Sequence, residues 1–146
     1  MIIAVTGWRH WTDGVFIRNC LYETIDKYGV KYGVPLHVRV GDAGGADTFV
    51  RRWCQNNSDR VTFQVFYARW DIHGSHPGSP AGSIRNKEML EGKDDTVTGP
   101  TELLLGFPSR RRPVRVPGSG SWGCMVEAAL MGIRVEIPAY KDGQCK

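Results

Sequence analysis

Five strand-sized apolar segments, separated by stretches with helical spacing, constrain this chain more than any other feature of its sequence. The segments run over Ile2–Thr6, Leu36–Val40, Val61–Tyr67, Glu102–Phe107 and Ile133–Ile137, and each is β-branched or alternating apolar. Between them, apolar residues recur at helical intervals: Ile17, Leu21, Ile25 and Tyr28; Ala46, Val50, Trp53 and Cys54; Ile84, Met89 and Leu90; Met125, Ala128, Ala129 and Met131. An order of βαβαβαβαβ calls for parallel strands joined by right-handed crossovers, with helices on both faces of the sheet. The expected fold class is α/β: a single Rossmann-like three-layer domain over residues 1–146, with a mainly parallel sheet of about five strands.

Composition fits that expectation, because 146 residues that are 41% hydrophobic and 23% charged can bury one sizeable core. No apolar run approaches the roughly 20 residues that cross a bilayer, so no membrane association is expected. Cys20, Cys54, Cys124 and Cys145 lie far apart, with no CxxC pair and no secretory signal. They read as reduced thiols and imply a cytoplasmic location. The formal charge of +4 favours an anionic partner, and much of the excess sits in Arg110, Arg111 and Arg112. That run suits a nucleotide pocket, a nucleic-acid backbone or plain solvated loop surface.

Parallel sheets of this kind bind ligands outside the carboxyl ends of their strands, so the segments that follow each strand carry the functional reading. They are "GWRHWTD", "GDAGGAD", "RWDIHGSHPGSPAGSIRNKEM" and "PSRRRPVRVPGSGSWGCMVE". In the second, Gly41, Gly44 and Gly45 precede a helix start, where free backbone N–H groups can hold a phosphate or carboxylate. The same glycines also suit a tight strand-to-helix turn that needs them for geometry alone. Asp47 reads as a first-turn acid or a ligand for ribose hydroxyls.

In the fourth, Gly118–Gly123 has the form G-x-G-x-x-G but does not follow the first strand, so it reads as a Gly/Ser phosphate seat rather than a dinucleotide fingerprint. Ser119 and Ser121 supply hydroxyl donors there. Arg9 and Arg85 stand at ligand-facing positions where an arginine can fork onto phosphate oxygens, or remain a solvated charge. Trp8, Trp11 and Trp70 can stack on a base or pack in the interior. Asp71, His73 and His76 resemble metal ligands but lack a third and fourth partner at suitable spacing, so neither metal nor cofactor is expected.

Taken in order, "TGWRHWTD", "GDAGGAD", "IRNKEM", "LLLGFP" and "GSWGCMVEAALMGIRVEI" resemble the successive signatures of the SLOG superfamily, in its YspA/YpsA-related branch. The resemblance implies a pocket for a nucleotide or nucleotide-derived ligand. The branch pattern G-x-R is matched by Gly7 and Arg9; in its G-G-A-x-G-A-D pattern, Asp42 replaces the second glycine and Gly44 falls at the variable position. An acid there would repel a phosphate if it pointed inward.

The more distant Lonely Guy branch contains nucleoside 5′-monophosphate phosphoribohydrolases, whose pattern pairs R-x-x-x-M with P-G-G-x-G-T-x-x-E. Arg85 to Met89 resembles the first, and Gly120, Gly123 and Glu127 resemble part of the second, with Ser119, Ser121 and Cys124 replacing proline, glycine and threonine. This likeness implies Arg85 as the phosphate or leaving-group clamp and Glu127 as the carboxylate facing an oxocarbenium-like ribose. Glu127 also reads as an ordinary helix-surface acid. Two further classes follow from the superfamily: sequestration or sensing of a nucleotide signal, and single-stranded nucleic-acid binding as in the SLOG-like domain of the bacterial DNA-processing protein. Related folds often pair through helices, which makes a homodimer an expectation as well.

Overall fold

The computed structural model describes residues 1–30, 35–109 and 120–140. Its strands are β1 (Ile2–Gly7), β2 (Leu36–Gly41), β3 (Val61–Phe66), β4 (Leu103–Phe107) and β5 (Arg134–Glu136). The helices are α1 (Gly14–Thr24), which runs on into a π-helical segment at Ile25–Val30, then α2 (Ala46–Asn56), the single turn α3 (Trp70–His73), α4 (Ala81–Glu91) and α5 (Gly120–Leu130). All strand pairs are parallel, and the strands lie in the order β3-β2-β1-β4-β5. This is the Rossmann-like α/β arrangement that the strand and helix alternation predicts.

The strand alternation sorts the core into two layers. Ile3, Val5, Val38, Val40, Leu103, Leu105 and Phe107 point to the α1 and α2 side, where they meet Ile17, Leu21, Val50 and Trp53. Ala4 and Leu104 point the other way, onto Met89, Leu90, Cys124, Met125 and Ala128 of α4 and α5. Full burial of one such aliphatic side chain stabilises the fold by about 1.5–3 kcal/mol.

Local chemistry fixes the helix ends. Asp13 Oδ1 accepts the Phe16 N–H at 3.0 Å to cap α1, and its other oxygen accepts the Tyr140 hydroxyl at 2.7 Å. The second bond ties the segment after β5 to the start of α1. These two bonds hold the Asp13 carboxyl below its ordinary value. Strand β3 stops at Phe66, one residue short of the apolar run, because the chain turns at Ala68, whose N–H is taken by Asp42 Oδ1 at 3.2 Å. Among the described residues, no helix is long and apolar enough to cross a membrane.

Candidate functional site

The strand order reverses between β1 and β4. From β1 the chain winds outward through β2 to β3, then crosses back over the sheet through α4 to reach the other side of β1. A crevice opens outside the carboxyl ends of these two strands, which is where a doubly wound sheet holds its ligands. It encloses a cavity of about 580 Å³. The end of β1 supplies Thr6, Gly7, Trp8 and Arg9; the start of α5 supplies Gly120, Ser121 and Trp122. The β2–α2 segment adds Gly41, Ala43 and Asp47, while α3 and α4 add Trp70, Arg85 and Asn86.

Seven of the residues singled out from sequence therefore share one wall: Gly7, Arg9, Gly41, Asp47, Arg85, Gly120 and Ser121. Gly44, Gly45, Gly123 and Glu127 are not among the lining residues. Gly123 is buried within α5, and Glu127 is half-buried one turn further along it. Gly118, Ser119, the Arg110–Arg112 run and Cys145 lie outside the described residues. Of the tryptophans, Trp8 and Trp70 face the cavity, whereas Trp11 is buried between Phe16, Phe107 and Tyr140.

The glycine turn after β2 brings the chain close to itself. Gly45 has a φ of +58°, and a side-chain carbon on it would run into the carbonyl groups of Trp8 and Arg9. The first N–H of α2, at Ala46, is donated to Trp8 O at 3.1 Å, and the Ala43 N–H to Asp47 Oδ2 at 3.1 Å. Two of the loop's backbone donors are thus already engaged within the protein. Gly41 is needed for a different reason: a methyl group there would come within 2.7 Å of Asp47 Oδ2 and 2.8 Å of Arg85 Nη1.

Asp42 points away from the role of phosphate repellent. Its Oδ1 receives Arg85 Nη1 at 2.5 Å as well as the Ala68 N–H, so it locks the end of β2 to α4 and to the segment after β3. Arg85 Nε donates to Asn86 Oδ1 at 2.9 Å, and Asn86 Nδ2 reaches Gly120 O at 3.5 Å. Arg85 is therefore held as a wall of the cavity by a carboxylate and an amide. Arg51 donates to the carbonyls of Gly41 and Ala43 at 2.8 Å and 3.0 Å and braces the same loop from behind. Arg9 is exposed, lines the cavity and bonds only His10, through Nε at 3.2 Å, so no carboxylate neutralises it among the described residues.

Asp47 is the most perturbed acid of the site. It is only 5% exposed, and burial pushes its carboxyl up to about 6 against the opposing pull of Arg85, the Ala43 N–H and Arg51. Burial also raises the Cys124 thiol to about 12, with Thr6, Arg85, Asp47 and Glu127 acting on it more weakly. Cys20, Cys54 and Cys124 are all free and buried, as inert thiols are.

Sequence reasoning passed over Asn86, Trp122 and the Asp42–Arg85 pair. Asn86 had a signal: asparagine is a poor helix interior residue, and here it sits 3% exposed in the middle of α4. Trp122 donates Nε1 to Ser109 O at 3.0 Å and so links the two chain segments that flank the crevice. Asp71, by contrast, is bidentate to Arg69 on the surface, and among the described residues no three His, Cys, Asp or Glu side chains cluster as metal ligands.

Fold and crevice together define a Rossmann-like α/β domain with a largely apolar, tryptophan-lined pocket that carries a few charged side chains at its topological switch point. Comparison with protein-family models, with curated proteins and with solved structures finds no match to this chain.

Proposed function

We propose that this domain binds a nucleotide or nucleotide-derived molecule in the crevice between β1 and β4. The observation that carries the reading is the cavity of about 580 Å³ at the switch point, lined by cationic, carboxylate and aromatic side chains together. Its volume lies within the range of sites that enclose small ligands. Trp8, Trp70 and Trp122 offer flat surfaces for a base, and Arg9 offers the free positive charge for a phosphate. The start of α5 adds the Ser121 hydroxyl and the positive end of a helix dipole on the same side of the sheet. The resemblance to the SLOG superfamily agrees with this assignment.

The test is calorimetric titration with the nucleoside 5′-monophosphates of adenine, guanine, cytosine and uracil. At least one should bind saturably with one site per chain, and Arg9→Ser should weaken it by about tenfold or more. Absence of binding by all four, with folded protein, rejects the reading.

A phosphoribohydrolase is the second reading. What favours it is that Arg85 and Asp47 both line the crevice, one cation and one acid on the same cavity, with Glu127 behind the wall acting on the Cys124 thiol alongside them. Release of free base and ribose 5-phosphate from the bound monophosphate separates turnover from sequestration of the intact ligand.

A further inference from the structure

We infer that Asp47 is the residue that reads the sugar, accepting a hydroxyl of a ribonucleotide and so selecting ribo- over deoxyribonucleotides. The inference rests on the nucleotide reading above. Its first support is geometric. Asp47 Oδ2 is fixed beside Gly41 by the Ala43 N–H, and this is the only hydrogen bond the side chain makes among the described residues. Asp47 Oδ1 has no such partner. Yet Trp53 Nε1 is the only fully buried side-chain polar atom left unpaired among the described residues, so Oδ1 is not sealed in the interior. A side chain that is 5% exposed and lines the cavity must present that remaining oxygen to the cavity.

The second support is the local charge. The groups facing Asp47 are Asp42 at the β2 end, Arg51 on its own helix, Arg85 on α4, and the Cys124 thiol on α5. Two carboxylates thus stand against two guanidiniums. Arg85 is committed to Asp42, and Arg51 to two backbone carbonyls. A phosphate next to Asp47 would add a third negative charge in a desolvated place, and an ammonium would leave an excess of positive charge. A neutral O–H donor satisfies Oδ1 without upsetting the balance. In a nucleotide, that group is a sugar hydroxyl.

Burial works in the same direction, since a desolvated carboxylate gains most from a charge-assisted hydrogen bond when the donor arrives. The charge-assisted bond requires the ionised acid, and the neutral acid offers only a weaker one. Ligand affinity should therefore fall as the pH drops below about 6, where Asp47 takes up its proton.

The experiment compares the tightest-binding of the four nucleoside 5′-monophosphates with its 2′-deoxy and 3′-deoxy forms, by calorimetry at pH 7.5. Loss of one of the two hydroxyls should weaken binding to the unaltered protein by about tenfold or more. In Asp47→Asn the amide oxygen stays on the Ala43 N–H, and an N–H group replaces the acceptor in the cavity. The gap between ribo and deoxy ligands should then shrink to less than about threefold. Equal affinity for all three ligands in the unaltered protein overturns the role of Asp47 and leaves the nucleotide reading standing. An undiminished gap in a folded Asp47→Asn protein overturns it too. If no ribonucleotide binds, both readings fall.

Discussion

Asp47 opposes folding at neutral pH. Its carboxyl is raised from 3.8 to about 6 in the folded chain, chiefly by burial. A raised acid contributes stability that is fully present below its unfolded value and is lost as the pH climbs through about 6. At neutral pH the ionised side chain therefore costs on the order of 3 kcal/mol relative to a neutral isostere. Asp47→Asn should raise the melting temperature at pH 7.5 by several degrees and give little change at pH 4. Thermal melts at the two pH values check this, and a variant less stable than the parent at pH 7.5 would refute the cost. Stability gained together with ligand discrimination lost is the pattern expected when a strained group is kept for function. The sequence shows an aspartate in a first helical turn, where an acid is favourable. Only the third dimension reveals that Gly41, Arg85 and the helix itself exclude water from it.

Among the elements, the turn from β2 into α2 has its geometry written in the sequence but not the reason for it. Three glycines before a helix signal close approach, and the approaching group is the β1–α1 loop of the same chain. The glycines are not equivalent. A methyl at Gly45 meets the backbone of Arg9 and Trp8 and must also adopt a φ of +58°, whereas one at Gly44 meets only Arg9 O at an ordinary 3.5 Å. Gly45→Ala should lose roughly 2 kcal/mol or more in urea unfolding, and Gly44→Ala should stay within about 0.5 kcal/mol. Equal effects would mean that the loop, not the glycine, sets the geometry.

Strand β2 holds a second lesson in "LHVRV". Its apolar residues were legible as the core-facing set, but His37 and Arg39 are buried as well, because a central parallel strand is covered on both faces. Arg39 donates Nε to Asp95 Oδ2 at 2.7 Å and Nη2 to Val97 O at 2.9 Å, and His37 Nε2 meets the same carboxylate at 2.8 Å. Burial works against the Asp95 charge, but these two partners hold its carboxyl below the ordinary value. Asp95 and Val97, between α4 and β4, are thereby tied to the sheet. No periodicity in the sequence announces a partner 56 residues away.

On the scale of the whole molecule, the alternation of strands and helices was enough to derive the parallel sheet. The order β3-β2-β1-β4-β5 then decides which strand ends form the crevice, and that depends on the crossover between β3 and β4. Seven predicted residues converge there because they end strands or follow them, while Glu127 stands off the wall because helical rotation carries it past the cavity-facing Ser121 and Trp122. The same convergence divides the five tryptophans of the chain into two sets. Trp8, Trp70 and Trp122 line the cavity, while Trp11 and Trp53 are buried in the α1 and α2 layer at 5% exposure each.

Nuclear magnetic resonance of the indole N–H groups reads these two sets separately, in one titration with the tightest-binding nucleoside 5′-monophosphate. If the crevice between β1 and β4 is the binding site, the signals of Trp8, Trp70 and Trp122 shift together along a single saturation curve, and those of Trp11 and Trp53 hardly move. Saturable binding that leaves the first three unmoved would place the ligand elsewhere and contradict the account.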